Sequence, residues 1–237
     1  MTVTLLQGDC LELMKQLPDK SIDLVVCDLP YGVTIAKWDK ALDMTALWKE
    51  YNRVCKGAIV LTSSGLFTFS LYSSNPKGFR YRLIWKKTRA TGFLAAKKRP
   101  LRVYEDILVF GNKKAVYNPQ KTTGHKPYST KHSAATSLYG SQSGAGSVIS
   151  TSTGERFPTD VVEIASVSKK LHATEKPVAL MEWLIKTYSN PGDTVLDNCM
   201  GSGTTGVACV NTDRNFIGME IDEGFFTTAK ERINGKV

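Results

Sequence analysis

The chain has 237 residues, enough for one compact domain or for one domain carrying a sizeable insertion. Apolar residues make up 42% and charged residues 22%, which is sufficient for an ordinary globular core, and Lys plus Arg exceed Asp plus Glu by 31 to 22, a formal net charge of +9. That excess points to a polyanionic partner. Uninterrupted apolar runs are short, as in Leu24–Cys27, which excludes a transmembrane helix and a secretory segment. The five cysteines are odd in number and show no CxxC spacing, so neither a disulfide framework nor a metal site is expected, and the thiols read as reduced.

Strand-like apolar runs alternate with amphipathic stretches, the pattern of an α/β sheet with helices on both faces. Val3–Gln7 reads as a strand, Leu11–Leu17 as a short helix and Ile22–Cys27 as a second strand. Met44–Cys55 has helical spacing, with Leu47, Tyr51 and Val54 on one face, and Gly57 is expected to terminate it. Ala58–Thr62, Arg82–Trp85 and Asp106–Phe110 are further strands, the last two flanking a very basic segment. From Ser129 to Gly154, 16 of 26 residues are Ser, Thr or Gly, too little apolar surface for a core, so a mobile loop or small insertion is expected. Order resumes near Phe157–Ile164. Pro177–Tyr188 is a helix with proline in its first turn, Thr194–Asp197 a buried strand, Thr204–Val210 a helix, Phe216–Ile221 a strand and Gly224–Ile233 a final amphipathic helix.

The segment Thr194-Val195-Leu196-Asp197-Asn198-Cys199-Met200-Gly201-Ser202-Gly203-Thr204 is a strand, a turn with two close glycines and a helix start. Such a turn lets backbone approach a ligand, and the helix N-terminus offers free N–H groups. Glu220 at the end of the next strand is placed to bond ribose hydroxyls. Gly201 to Gly206 also fits GxGxxG, but two features disfavour a nicotinamide oxidoreductase. The Asp197 carboxylate is badly placed beside a pyrophosphate, and only 34 residues remain from Thr204 onward. A carboxylate here suits a cationic, phosphate-free adenosine cofactor such as S-adenosyl-L-methionine. The candidate ligands are Asp197, Asn198, Gly201, Ser202, Gly203, Thr204 and Glu220.

The second strand ends in Asp28-Leu29-Pro30-Tyr31-Gly32. This turn resembles the signature (Asp/Asn/Ser)-Pro-Pro-(Tyr/Phe/Trp) of the S-adenosylmethionine-dependent DNA amino-methyltransferases of phage or restriction-modification type. It departs at Leu29, where a residue offering its backbone carbonyl is required. The chemistry explains the residue types. An exocyclic base amine is a poor nucleophile because its lone pair is delocalised into the ring. The Asp28 carboxylate and a carbonyl of Leu29 or Pro30 can hold its two hydrogens and favour a pyramidal nitrogen, while Pro30 stiffens the turn and Tyr31 stacks on a base extruded from the duplex.

The order of parts, catalytic turn first and cofactor turn last, matches the permuted (beta) members of that family. His172-Ala173-Thr174-Glu175-Lys176-Pro177 resembles their His-Pro-Thr-(Glu/Gln)-Lys-Pro, departing at Ala173; the resemblance implies that Thr174 and Lys176 lie near the methionine end of the cofactor. Gly8-Asp9-Cys10 resembles the segment whose acidic residue contacts the cofactor adenine, and Asp9 with Glu12 equally fits a helix capping box. Asn198-Cys199 stands where the family commonly has Pro-Phe. No Pro-Cys nucleophile motif is present, which disfavours transfer to ring carbon through a thiolate adduct.

Arg80, Arg82, Lys86, Lys87, Arg89, Lys97, Lys98, Arg99 and Arg102 are interleaved with Tyr81, Trp85 and Phe93, and Lys113, Lys114, Lys121, Lys126 and Lys131 follow. Cations interleaved with aromatics suit phosphate neutralisation and base stacking. Lys86, Lys87, Arg89, Lys97, Lys98, Arg99 and Arg102 are the candidate DNA contacts. The expectation is a Rossmann-like methyltransferase sheet comprising a catalytic half (1–114), a target-recognition insertion (115–160) and a cofactor-binding half (161–237). It acts in the cytoplasm of a prokaryotic or phage-infected cell, as a monomer or homodimer, on a flipped adenine N6 of duplex DNA. The alternatives are an N4-cytosine enzyme, an RNA-directed enzyme or a catalytically silent nucleic-acid-binding relative.

Overall fold

A computed structural model describes residues 1–32, 41–111, 115–132, 148–167 and 175–235. The chain forms two compact units, Met1–Asn118 with Asp160–Val237, and Pro119–Thr159.

In the first unit the chain runs β1 (Val3–Gln7), α1 (Cys10–Met14), β2 (Ile22–Cys27), α2 (Met44–Val54), β3 (Cys55–Ser63), α3 (Leu66–Ser74), β4 (Phe79–Thr91) and β5 (Arg102–Gly111). The second unit contributes β6 (Tyr128–His132) and β7 (Val148–Ser152). The first unit resumes with β8 (Val161–Glu163), α4 (Val178–Tyr188), β9 (Thr194–Asp197), α5 (Thr204–Asn211), β10 (Asn215–Glu220) and α6 (Glu223–Ile233).

Its eight strands form one sheet in the order β1-β10-β9-β2-β3-β5-β4-β8. The pairs from β1 to β3 are parallel, whereas β5 runs antiparallel to both β3 and β4. Apart from Asp23 near its start, strand β2 is apolar because it lies inside a parallel sheet covered on both faces. Its side chains alternate. Leu24 and Val26 enter the cluster containing Leu180, Leu184, Ala208 and Ile233 of α4–α6, while Val25 and Cys27 enter the cluster with Met14, Leu47, Tyr51 and Leu71 of α1–α3. The chain leaves β9 through α5 towards β10, and leaves β2 through α2 towards β3, in the opposite direction along the sheet. A crevice at the carboxyl ends of β2 and β9 follows from that reversal.

The structure departs from the sequence-based expectation at several elements. Helix α2 begins at the cap residue Asp43, whose carboxylate accepts from the N–H groups of Thr45 (2.8 Å) and Ala46 (3.1 Å). It passes directly into β3 at Cys55, so Gly57 does not end it. A Cβ at Gly57 would lie 1.9 Å from the carbonyl oxygen of Asp23, so the glycine instead permits close approach of β3 to β2. Helix α3 was not expected. Its apolar residues fall on more than one side, with Leu71 buried but Leu66 and Phe69 exposed, so no single stripe marks it. Strands β4 and β5 are longer than their apolar runs because their polar ends pair with each other as far as Thr91 opposite Arg102.

The second unit holds a hairpin within the Ser/Thr/Gly-rich stretch, β6 pairing antiparallel with β7 from Tyr128 opposite Ser152 to His132 opposite Val148. Arg156 packs its guanidinium 4.6 Å from the centre of the Tyr128 ring and bonds the Lys126 carbonyl at 2.6 Å. Among the described residues no helix is long and apolar enough to cross a membrane.

Candidate active site at the ends of β2 and β9

Asp28 immediately follows β2 at the carboxyl edge of the sheet. Its Oδ1 accepts from the Thr62 hydroxyl and from the Tyr31 hydroxyl at 3.0 Å, and its Oδ2 accepts from the Lys176 ammonium. Thr62 arrives there because β3 pairs with β2 with Cys27 opposite Leu61. Burial alone would push the Lys176 ammonium's pKa down; the Asp28 and Glu105 carboxylates outweigh it and hold the pKa above the ordinary lysine value. The Leu29 side chain is buried in the α1–α3 cluster, which leaves its backbone as the functional part. The Tyr31 ring stacks on Phe67, with centroids 4.5 Å apart and planes 20° apart, and burial followed by the Asp28 charge keeps its hydroxyl protonated well above the usual range. Sequence reasoning did not find Thr62, Phe67 or Glu105. Each comes from a different strand or helix, and no spacing links them to Asp28.

The cofactor turn begins at β9. Asp197 is almost fully buried; Oδ1 accepts from the Cys199 N–H (3.1 Å) and Oδ2 from the Thr205 hydroxyl (2.6 Å). Burial lifts its pKa to about 6, with those two hydrogen bonds offsetting part of the rise. It makes no ion pair among the described residues. A buried carboxylate in that state fits a cationic ligand, whose charge would restore the anion. Glu220 accepts from Gly201 N (2.9 Å, Oε2) and Asp222 N (2.9 Å, Oε1). Its orientation is thereby fixed, and each oxygen retains a second lone pair.

Gly201 has φ +51° and open space where a Cβ would be, whereas a Cβ on Gly203 (φ +81°) would meet the Ala229 Cβ of α6 at 2.9 Å. The first glycine therefore leaves room at the turn and the second lets a helix pack against it. Ser202 and Thr204 turn to Arg232, whose Nη1 lies 3.2 Å from Ser202 Oγ and 3.1 Å from Thr204 Oγ1. Asn198 faces the interior, accepting from the Tyr51 hydroxyl at 2.5 Å. Asp9 caps α1, accepting from Leu11 N (2.8 Å) and Glu12 N (3.4 Å), while Glu12 turns to Lys15 (2.6 Å). Gly8 N donates to the Glu220 carbonyl (2.9 Å), which brings Asp9 to the end of β10. Thr174 lies outside the described residues, as do His172, Lys113 and Lys114.

The two turns meet because β2 and β9 are neighbours in parallel register, with Val25 opposite Leu196. Burial pushes the Cys27 thiol up to about 12, which removes it as a nucleophile near neutral pH. Among the described residues no group of His, Cys, Asp and Glu is arranged to hold a metal ion.

Lys86, Arg89, Lys97, Lys98, Arg99 and Arg102 are exposed on β4, β5 and the turn joining them. Phe93 and Leu94 on that turn are 75% and 90% exposed, so apolar surface stands among the cations. Lys86 pairs with Glu163 at 2.8 Å, and Arg102 donates to Ser64 Oγ at 3.3 Å. Lys87 differs from the rest. It turns inward, pairs with Glu105 and lies 5.1 Å from the Trp85 ring centre. In the second unit Lys121 pairs with Glu155 at 2.9 Å, and Lys126 and Lys131 are exposed.

Comparison with known proteins adds findings of three kinds. A family model described as DNA methylase matches residues 22–231. The chain is 28% identical over 261 residues to the type II methyltransferase M.HinfI of Haemophilus influenzae, covering 97% of this chain and 68% of that protein. It is 28% identical over 252 residues to the DNA adenine methyltransferase YhdJ of Escherichia coli (strain K12), covering 98% and 82%. Among solved structures, the M1.HpyAVI–SAM complex superposes with a TM-score of 0.67 at 26% identity, covering 98% of this chain and all (100%) of that one. The cytosine-N4-specific PvuII DNA methyltransferase, at 17% identity, shares the fold with a TM-score of 0.71 over 98% of this chain and 86% of that one.

Proposed function

The chain belongs to the DNA methylase family, and we propose that within it the protein methylates the N6 amine of adenine in duplex DNA, with S-adenosyl-L-methionine as methyl donor. The observation that carries this reading is Asp28, an acceptor held in one orientation by Thr62, Tyr31 and Lys176 at the mouth of the β2–β9 crevice. A relative named as an adenine methyltransferase supports the choice of base.

S-adenosylmethionine, when bound, supplies a methyl group activated by a sulfonium. Asp197 offers that molecule's cationic end a buried counter-charge, and Glu220 offers the ribose a fixed acceptor. Gly201 leaves the space at the turn, and Lys176 stands beside Asp28 on the reacting side. Asp9, Ser202, Gly203 and Thr204 shape the turn and its neighbouring helix starts. Asp28 accepts one amine hydrogen and a carbonyl of Leu29 or Pro30 the other, which draws the lone pair out of conjugation. The target base leaves the duplex to reach Asp28, at a cost of a few kcal/mol, and Tyr31 provides an aromatic wall for it. The exposed cations of β4 and β5 neutralise phosphates, and the Pro119–Thr159 unit takes part in target recognition.

The test is incubation with isotopically labelled S-adenosylmethionine and mixed DNA, with RNA in parallel, followed by digestion to nucleosides. Label in N6-methyl-2′-deoxyadenosine from the DNA is the expected result. Label in N4-methylcytosine or only in RNA refutes the substrate assignment. Asp28→Ala is expected to abolish transfer while leaving donor binding intact; normal turnover in that variant refutes the site.

A further inference from the structure

Lys176 is shared between two carboxylates. Its Nζ donates to Asp28 Oδ2 and stands 3.5 Å from Glu105 Oε2. The other oxygen of Glu105, Oε1, is held by Lys87. The four side chains form an alternating series, Lys87–Glu105–Lys176–Asp28, with exposures of 11%, 16%, 7% and 24%. Its formal charges cancel, so it can persist away from water.

The series is unevenly satisfied. Among the described residues Glu105 Oε2 is buried and has no hydrogen bond of good length, the Lys176 ammonium standing at the 3.5 Å limit of one. A carboxylate oxygen bonded this weakly away from water is costly, and a small torsional change would bring the ammonium onto it. Asp28 shows the opposite condition. Two hydroxyls already bond Oδ1, and Lys176 bonds Oδ2. An incoming amine therefore competes with an ammonium for Oδ2, and an ammonium is the stronger donor.

We propose that Glu105 is a positioning residue that takes the Lys176 ammonium from Asp28 Oδ2 as the target amine docks, so that Asp28 meets the amine as an unshared acceptor. The positive charge moves from one half-buried carboxylate to another. It does not enter water, and the net charge of the pocket is unchanged. Lys87 holds the far side of Glu105 so that Oε2 keeps facing Lys176. The inference rests on the reading of Asp28 as the amine acceptor and adds the device that frees it.

The experiment compares wild type, Glu105→Gln and Glu105→Asp. For each, kcat and KM are measured on a methylatable duplex, donor Kd by calorimetry, and the melting temperature. Loss of a charge-assisted hydrogen bond in the docked state predicts that Glu105→Gln lowers kcat by roughly tenfold to a hundredfold. KM and donor Kd should stay near wild type, the melting temperature should fall because Lys87 and Lys176 lose the carboxylate between them, and Glu105→Asp should recover part of the lost kcat. Wild-type kcat in Glu105→Gln overturns the proposal. So does a loss of kcat matched by an equal loss of donor binding, or an aspartate variant as slow as the glutamine one. Should Glu105→Gln fail to fold, lysine side-chain nitrogen NMR of the wild-type protein decides. The Lys176 signal should shift on adding a duplex with its target base, and not on adding the same duplex with an abasic site there; equal spectra overturn the proposal. A wild-type protein inactive on all DNA would instead sink the proposed function.

Discussion

Arg232, near the end of the last helix, reaches back to Glu175, with Nη2 2.7 Å from Oε1 and the two side chains only 11% and 3% exposed. The same guanidinium bonds Ser202 and Thr204 at the cofactor turn, so one side chain joins α6, the start of α5 and the segment that delivers Lys176. Arg232→Met removes a charge partner of the buried Glu175 carboxylate, a change that costs about 3 kcal/mol in comparable pairs. A fall in melting temperature of roughly 6–12 °C is expected for a chain of this size. Weaker donor binding should accompany it, because the turn loses its brace. Calorimetry on the folded variant measures both, and unchanged donor affinity would show that the brace does not serve the site.

Thr62→Val keeps the volume and removes the hydroxyl that orients Asp28. With one neutral donor lost, turnover should fall about threefold to tenfold, corresponding to about 1 kcal/mol. Thr62→Ser keeps a hydroxyl and should stay close to wild type. Equal kcat in the valine and serine variants would remove Thr62 from the orienting set.

Asp197 links pH to both stability and donor binding. Its folded pKa, about 6, lies above the ordinary 3.8, because burial disfavours the anion. The folded chain therefore holds this proton more tightly than the unfolded chain. The stability contributed by the group is fully present below about 3.8 and is lost as pH rises through about 6. Asp197→Asn should accordingly melt a few degrees higher than wild type in alkaline buffer, with the advantage fading in acid. The same variant should bind S-adenosylmethionine far more weakly. Donor affinity of the wild type should decline as pH falls through about 6, where the counter-charge is neutralised. Melting curves and donor titrations across pH check both signs.

The exposed cations on the β4–β5 arm predict steep salt dependence of DNA binding. If Lys97 and Arg99 each neutralise one phosphate, the double alanine variant should lower the slope of log K against log salt by roughly 1 to 2. The loss should be similar for any duplex sequence, since phosphate contacts carry no base information. A DNA affinity insensitive to salt would place the interface elsewhere.

Much of this protein was legible in its sequence because the signals are local. Apolar runs of strand length marked β1, β2 and β9, and the helical spacing of Leu47, Tyr51 and Val54 marked α2. The turns Asp28–Tyr31 and Asp197–Thr204 announce their chemistry through residues adjacent in the chain. Helix α3 and the extended arms of β4 and β5 were not legible, because neighbours rather than periodicity stabilise them. The hairpin of β6 and β7 escaped for the same reason, since Ser and Thr pair in a ladder through backbone groups that composition does not register.

The sequence by itself determined the alternation of strands and helices, the basic excess and the two chemically marked turns, since each depends on residues within a few positions of one another. Only the tertiary structure decided that β2 and β9 lie side by side and that Thr62, Lys176 and Glu105 converge on Asp28. It also turned Lys87 inward while its neighbours face solvent. Those choices depend on strand order and on the cost of burying charge, and both are properties of the packed sheet that no window of sequence contains.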